Sequence, residues 1–158
     1  MKIGIISLGL IGGCMALSLP KTDFWKKINR IQQIPKNASL ELKIEIVDEI
    51  VSPNTLITQS ELIILATPVN GIRKISPELL NAPSDKSVVL DIGSTKENIC
   101  QAIAKHSKRN RFISTHPIYG TEYSGLKTPF YEVFERKKII FQSNSILPRP
   151  LKNRNNIC

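Results

Sequence analysis

Short apolar runs, separated by stretches with helical spacing, constrain the fold of this 158-residue chain more than any other feature. Continuous runs rich in Ile, Val and Leu are typical of strands that are buried on both faces of a parallel sheet. The alternation predicts an α/β fold with a doubly wound, mostly parallel sheet and right-handed crossovers. The strand-like runs are Lys2–Ile6, Ile28–Ile31, Glu49–Val51, Leu62–Ala66, Val88–Ile92, Phe112–Ile113 and Lys138–Phe141, and the helix-like stretches are Met15–Leu19, Lys36–Lys43, Asn70–Leu80 and Lys96–Lys105.

Length and composition set broad limits on the class of protein. A chain of this length is expected to form one domain, and 41% hydrophobic residues is sufficient for a core. No apolar run approaches the ~20 residues of a membrane span, and no signal-peptide pattern is visible, so we expect a cytoplasmic protein that does not enter a membrane. The three cysteines form no C-x-x-C pair, and we expect neither a disulfide framework nor a metal site.

The net charge of +9 raises the question of a nucleic-acid partner. The basic residues do not alternate with aromatic ones, and no nucleic-acid-binding motif is present, so we expect no such partner. Much of the charge lies in two segments, 105–111 and 151–156. A basic surface would also attract anionic cofactors and substrates.

The first strand-like run leads into a glycine-rich turn and then a helix. The turn reads Ser7-Leu8-Gly9-Leu10-Ile11-Gly12 and resembles the dinucleotide-binding fingerprint of Rossmann-like NAD(P)-binding domains. Glycines there let backbone N–H groups reach a pyrophosphate, and Gly12 would let the helix pack closely on the strand. Ser7 stands where the fingerprint has its first glycine, at a position whose backbone angles favour glycine, so we expect either a strained serine or weaker binding of the cofactor. A purely structural turn is the alternative interpretation.

Polar residues follow several of the strand-like runs. These residues are Thr67-Pro68, Gly93-Ser94-Thr95-Lys96 and His116, together with Ser7 and Gly9. In open α/β sheets the carboxyl ends of the strands form the ligand-binding edge, and we expect all of these groups there. Gln32 lies about 20 residues beyond the glycines, where an acidic residue usually binds the ribose. With Arg30 and Lys36 nearby it favours NADP slightly, and either NAD or NADP remains open. Asp48 is interpreted as structural.

Five motifs together resemble one enzyme family. They are Lys2–Gly13, Val47-Asp48-Glu49-Ile50-Val51, Leu65-Ala66-Thr67-Pro68-Val69, Asp91-Ile92-Gly93-Ser94-Thr95-Lys96 and His116-Pro117-x-x-Gly120-Thr121-Glu122-x-Ser124-Gly125. From Met1 to about Phe141 the chain resembles the nucleotide-binding half of prephenate dehydrogenases, which include arogenate dehydrogenases. The last two motifs are the specific ones. Reductases of β-hydroxyacids or pyrroline carboxylate share the fold but lack the His116-Pro117 loop at this spacing.

The resemblance implies NAD(P)-dependent oxidative decarboxylation of prephenate or arogenate, a step of tyrosine biosynthesis. It implies that His116 accepts the proton of the substrate's ring hydroxyl, and an imidazole exchanges protons near neutral pH. Ser94 would hydrogen-bond that hydroxyl or His116. Glu122 would be a third catalytic residue, at the mouth of the site, with Thr121 and Ser124 on the same substrate-binding loop. Lys96 is expected either to cap the following helix or to be an ordinary surface lysine.

The resemblance also implies a second, helical domain, through which the family usually forms homodimers and which supplies an arginine for a substrate carboxylate. We expect residues 1–142 to form the dinucleotide-binding domain, residues 143–158 to be an irregular tail, and the helical domain to be missing. Activity of this chain alone is therefore expected to be impaired. The alternative is a catalytically inactive remnant that binds a nucleotide or a partner protein.

Overall fold

The computed structural model describes residues 1–8, 10–19, 27–31, 48–82, 87–118 and 138–141. The strands are β1 (Lys2–Ile6), β2 (Lys27–Ile31), β3 (Glu49–Ile50), β4 (Leu62–Leu65), β5 (Val88–Asp91), β6 (Phe112–Pro117) and β7 (Ile139–Phe141). The helices are α1 (Leu10–Ser18), α2 (Pro53–Gln59), α3 (Val69–Asn81) and α4 (Glu97–Ile103), and a 3₁₀ turn at Arg109–Arg111 precedes β6.

The strands of the described residues form one sheet in the order β3-β2-β1-β4-β5-β6-β7. All neighbouring strands are parallel except β6 and β7, which are antiparallel. The strand order reverses between β1 and β4, which is the topological switch point of a doubly wound sheet. The predicted fold class is therefore confirmed, and the carboxyl ends of β1 and β4 border the crevice where such sheets bind ligands.

Alternate side chains of the central strands enter two separate cores. Ile3 and Ile5 pack on one face of the sheet with Ala16 and Leu17 of α1. The opposite core lies beneath α2, α3 and α4, and its buried members are Ile6, Leu56, Ile63, Leu65, Ile72, Leu79, Leu80, Val89, Ile99, Ile103 and Phe112. The period-two alternation of a strand thus places apolar groups on both faces, as the continuous runs predicted.

The last two strands depart from the sequence prediction. The Lys138–Phe141 run was expected to form a buried parallel strand, but β7 is antiparallel, and Ile140 and Phe141 are exposed. The strand predicted at Phe112–Ile113 continues to Pro117, so His116 lies within β6 rather than in a loop after it. Pairing with β7 explains the extension, because His116 lies opposite Ile140 and an antiparallel partner supplies hydrogen bonds beyond the apolar run.

Helix α2 was not predicted, although its start carries a readable signal. Ser52 is the N-cap, and its Oγ accepts a hydrogen bond from the Thr55 backbone N–H at 3.2 Å. Pro53 occupies the first turn, where the missing N–H costs nothing. Leu56 is the only residue of α2 that is fully buried. A helix of seven residues with one buried side chain gives too short a periodic pattern for detection.

Two of the predicted segments lie outside the described residues, namely the helix at Lys36–Lys43 and the tail at 143–158. Among the residues that the structure describes, no helix is long and apolar enough to cross a membrane.

The basic segment 105–111 takes part in the fold. Arg109 donates from Nη1 to the Phe112 carbonyl at 2.8 Å, and its guanidinium lies 5.7 Å from the centroid of that ring. Arg111 donates from Nε to the Ser87 carbonyl at 2.9 Å. Both arginines therefore hold the start of β6, at the sheet edge opposite the carboxyl ends of the parallel strands.

Candidate functional site

The turn after β1 begins with a strained residue. Ser7 has a φ of 72°, and among the described residues it is the one non-glycine residue with a positive φ. An L-residue in this left-handed region costs roughly 1–2 kcal/mol. The strain expected for a serine at this glycine position of the fingerprint is therefore present. Strained backbone at such a turn persists only where surrounding packing fixes it, and it clusters at binding sites.

Gly12 shows what fixes the turn. A Cβ built on Gly12 would lie 2.6 Å from the Ala66 Cβ and 2.7 Å from the Ser7 carbonyl oxygen. Helix α1 therefore meets the ends of β1 and β4 without room for a side chain. The Ala66 N–H donates to the Ile6 carbonyl at 3.1 Å and continues the pairing of these strands up to the turn. The predicted role of Gly12 in close helix–strand packing is confirmed.

The start of α1 has the properties of an anion-binding helix terminus. The helix begins at Leu10, directly beyond the carboxyl end of β1, and its first turn contains no acidic side chain. Its unpaired N–H groups and partial positive charge are therefore not neutralised from within that turn. The residues present fit a dinucleotide pyrophosphate, since the helix start and the close-packed glycine lie at the switch point of the sheet.

The remaining predicted cofactor residues border the same crevice. Leu8 is buried, and Ile11 packs against the core beneath α1. Thr67 and Pro68 follow β4, and the Pro68 carbonyl accepts hydrogen bonds from the Gly71 and Ile72 N–H groups that open α3. Thr67 is partly exposed and Pro68 is exposed. The structure thus gathers Ser7, Leu8, Ile11, Gly12, Thr67 and Pro68 at the ends of β1 and β4.

A buried carboxylate that the sequence analysis did not single out organises the neighbouring edge. Asp91, the last residue of β5, has no exposed surface. Its Oδ1 accepts hydrogen bonds from the Gly93 N–H at 2.8 Å and from Lys96 Nζ at 2.6 Å. Its Oδ2 accepts the Ser114 hydroxyl at 2.7 Å. A carboxylate at the end of an apolar run, five residues before a lysine, is the sequence signal that would have found this pair.

Lys96 occupies the N-cap position of α4, which was one of the two roles predicted for it. Its side chain makes no cap hydrogen bond at the start of α4 and is only 15% exposed, so it is not an ordinary surface lysine. It forms an ion pair with Asp91 instead. A buried carboxylate needs such a partner because an unpaired charge in the protein interior is strongly unfavourable.

Ser94 and His116 lie just beyond paired positions of two adjacent strands. Asp91 of β5 lies opposite Ser114 of β6, and the two strands are parallel. Ser94 follows Asp91 by three residues and His116 follows Ser114 by two, so both come at the same edge of the sheet. Ser94 is exposed, and His116 is partly exposed. The structure thus brings two of the three predicted catalytic residues to one edge, and the third, Glu122, lies outside the described residues.

His116 has an unusual environment. Its Nδ1 is buried and has no hydrogen-bond partner among the residues that the structure describes. Most buried polar atoms in proteins are paired, and an unpaired one in a native structure is often explained by a catalytic or ligand-binding role. The ring therefore keeps hydrogen-bonding capacity that the described residues do not use.

Five of the predicted site residues lie outside the described residues. These are Gly9, Gln32, Thr121, Glu122 and Ser124, and for Leu10 only the backbone is described. Gln32 directly follows β2, whose carboxyl end lies at the same edge as that of β1. The positions of these side chains stay predictions.

The strain at Ser7 predicts a gain in stability on substitution by glycine. Ser7→Gly removes roughly 1–2 kcal/mol of left-handed strain and loses about 0.4–1 kcal/mol through the freer unfolded chain. We expect a net stabilisation of roughly 0.5–1 kcal/mol in chemical denaturation. Ser7→Ala is the control and should show no gain, because it keeps the Cβ. A Ser7→Gly protein less stable than the original chain would contradict this account.

Comparison with known proteins gives a consistent family. The family model described as "Prephenate dehydrogenase, nucleotide-binding domain" matches residues 15–145. The prephenate dehydrogenase of Bacillus subtilis is 29% identical over 134 residues, which are 83% of this chain and 36% of that protein. The crystal structure of the Aquifex aeolicus prephenate dehydrogenase, in complex with hydroxyphenyl propionate and NAD+, superposes with a TM-score of 0.82 at 28% identity.

The matched length is partial for each relative. The superposition on the Aquifex structure includes 96% of this chain but 54% of that protein. The Synechocystis arogenate dehydrogenase, at 24% identity and a TM-score of 0.78, shares the fold, and the same 54% of its chain is spanned. The family model covers most of the chain, from residue 15 to residue 145, and this chain therefore belongs to the prephenate dehydrogenase family, in its nucleotide-binding domain.

Proposed function

We propose that this chain is the NAD(P)-binding part of an oxidoreductase that oxidatively decarboxylates prephenate or arogenate. One observation carries the proposal. The close-packed glycine turn after β1, the Ser94 turn after β5 and His116 at the end of β6 all lie at the carboxyl edge of one sheet. Such an edge can hold a dinucleotide and a substrate side by side. The relatives named as prephenate dehydrogenases support the same reaction class.

The cofactor would be held by main-chain groups more than by side chains. The N–H groups at the start of α1 would hydrogen-bond the pyrophosphate, and Gly12 leaves no Cβ between helix and strand. Thr67 and Pro68, at the end of β4, would border the adjoining part of the dinucleotide. A bound nicotinamide would supply a hydride acceptor. A related structure holds NAD+, which supports this class of cofactor.

His116 would act as the general base. It would accept the proton of the substrate's ring hydroxyl as the C–H bond at the same carbon breaks. The hydrogen of that C–H bond would leave as a hydride to the oxidised nicotinamide, and the ring carboxylate would leave as CO2 with its bonding electrons entering the ring. The proton would then return from His116 to the ring oxygen, so that the product is 4-hydroxyphenylpyruvate from prephenate or tyrosine from arogenate. This role is supported by the buried Nδ1 of His116, which has no hydrogen-bond partner among the described residues.

Ser94 would orient the same hydroxyl or the His116 ring. Its exposed side chain follows a turn whose backbone is held by the Asp91 carboxylate. Glu122, Thr121 and Ser124 would complete the substrate side of the site. A homodimer would form through the part of the related proteins that this chain does not span. Because the chain spans about half of the Aquifex protein, we also propose that its own activity is impaired.

Cofactor binding is the first test of the proposal. Calorimetric titration of the chain with NAD+ and NADP+ should show one site. Gly9→Val should abolish binding, because its side chain would occupy the position of the pyrophosphate. Glu78→Val is the comparison variant, since Glu78 is exposed near the C-terminal end of α3, whereas only the start of α3 follows the carboxyl end of β4. Unchanged affinity in Gly9→Val would remove the assignment of the turn.

Cofactor preference should depend on Gln32. The residue directly after β2 carries no charge, so nothing at that position repels a 2′-phosphate, and Arg30 is close in sequence. We expect NADP+ to bind at least as well as NAD+. Gln32→Asp should shift the preference toward NAD+ by roughly 1–3 kcal/mol, the range for hydrogen bonds to charged groups. The role of Gln32 would be contradicted if the original chain already preferred NAD+ and Gln32→Asp left that preference unchanged.

Turnover should be slow and should depend on His116. We expect the chain alone to form NAD(P)H from prephenate far more slowly than enzymes of ordinary kcat/KM, because positioned geometry supplies much of the rate. His116→Asn should reduce the remaining rate by about 10²–10⁴-fold, the usual contribution of a general base. A normal rate would contradict the proposed impairment, and a rate insensitive to His116→Asn would contradict the assignment of the base.

A further inference from the structure

The Asp91 carboxylate bonds two separate parts of the sheet edge. One oxygen, Oδ2, accepts the hydroxyl of Ser114 in β6. The other oxygen, Oδ1, accepts the Gly93 N–H and Lys96 Nζ, which lie on either side of Ser94. A single buried side chain thus joins strand β6 to the turn that follows β5.

The two parts that Asp91 joins are those that carry the proposed catalytic groups. Ser94 lies between the two bonded residues of the turn, and its own side chain remains exposed. His116 lies two residues beyond Ser114 on the same strand. Neither Ser94 nor His116 contacts Asp91 through a hydrogen bond that the structure shows, so any effect of Asp91 on them is indirect.

The geometry of a carboxylate makes this link stiff. Its two oxygens belong to one planar group, so a movement of β6 that displaces Oδ2 also displaces Oδ1 and the turn bonded to it. All three bonds are charge-assisted and lie in a site without exposed surface on Asp91, where electrostatic interactions are stronger than in water. The Thr115 hydroxyl also donates to Asp91, but to its backbone carbonyl at 2.7 Å, so it bypasses the carboxylate.

We propose that Asp91 is a positioning residue that sets the Ser94 turn relative to the strand that carries His116. Ser114 and Lys96 are the two arms through which it does so. The catalytic meaning of this coupling depends on the proposed function, whereas the coupling itself does not. The role is one of geometry, and Asp91 does not touch the substrate or the cofactor.

The first arm of the test perturbs β6 and observes the turn. In the isotope-labelled full chain, Ser114→Ala should change the Ser94 amide signal and speed hydrogen exchange of the Gly93 amide by about tenfold or more, as the loss of a charged hydrogen bond allows. Exchange of the buried Ile64 amide corrects for any change in global stability. Thr115→Val is the matched control, because it removes a neighbouring hydroxyl that bonds the Asp91 backbone, and the Ser94 signal should stay in place.

The second arm perturbs the turn and observes the strand. Lys96→Met should shift the ring nitrogen signals of His116, although Lys96 and His116 lie in different elements. Asp91→Asn should shift both reporters, and if this variant does not fold, the two single-arm variants still decide the question. The proposal would be overturned if Ser114→Ala and Thr115→Val changed the Ser94 amide signal equally. It would also be overturned if Lys96→Met left the ring nitrogen signals of His116 unchanged.

A kinetic measurement then separates this proposal from the proposed function. If the chain forms NAD(P)H from prephenate, Ser114→Ala should lower kcat by about tenfold or more with little change in KM, since positioning acts on the chemical step. An unchanged kcat would overturn the catalytic meaning of the coupling. Absence of NAD+ and NADP+ binding by the original chain would count against the proposed function, while the two spectroscopic arms would still confirm or overturn the positioning role.

Discussion

The buried carboxylate of Asp91 is the interaction on which the candidate catalytic edge depends. A carboxylate without exposed surface is tolerated only where charge and hydrogen bonds compensate the loss of water. Lys96 supplies the charge, and the Gly93 N–H and the Ser114 hydroxyl supply the remaining bonds. Removal of one partner of a buried pair generally costs about 3–5 kcal/mol. The turn and the strand are therefore fixed by the same requirement that keeps the charge paired.

The cofactor edge depends on a different constraint, which is steric. Gly12 allows α1 to lie against the ends of β1 and β4, and the Ser7 carbonyl closes the same space. This packing holds Ser7 in a left-handed conformation that a serine would otherwise avoid. Strain kept in place by close packing is common where backbone N–H groups must face a ligand. The switch point between β1 and β4 puts this turn beside the edge organised by Asp91.

The sequence predicted the elements whose pattern is long and continuous. We identified the buried runs at β1, β4 and β5 because apolar residues face both sides of the sheet. We identified α3 because its apolar residues recur at helical spacing on one face. The short helix α2 was missed because it buries only Leu56. The predicted end of β6 was wrong. Thr115, His116 and Pro117 pair with the antiparallel strand β7, and the local sequence pattern does not contain this tertiary contact.

The candidate site was predicted in the same uneven way. Ser7, Gly12, Ser94 and His116 were found because polar groups and glycines after apolar runs mark the carboxyl edge of a parallel sheet. Asp91 was missed because it directly follows apolar strand residues, although a lysine five residues later was an available signal, and its bond to Ser114 appears only in three dimensions. The ion pair with Asp91 also explains why Lys96 is not an ordinary surface lysine, whereas its N-cap position was one of the two predicted roles.

A crystal structure of this chain with NAD+ or NADP+ bound would test the central claim most directly, that one sheet edge holds both cofactor and catalytic groups. The account predicts that backbone N–H groups at the start of α1 donate to the pyrophosphate, and that the nicotinamide lies beside Ser94 and His116. A dinucleotide bound away from α1, or a nicotinamide directed away from the ends of β5 and β6, would contradict it.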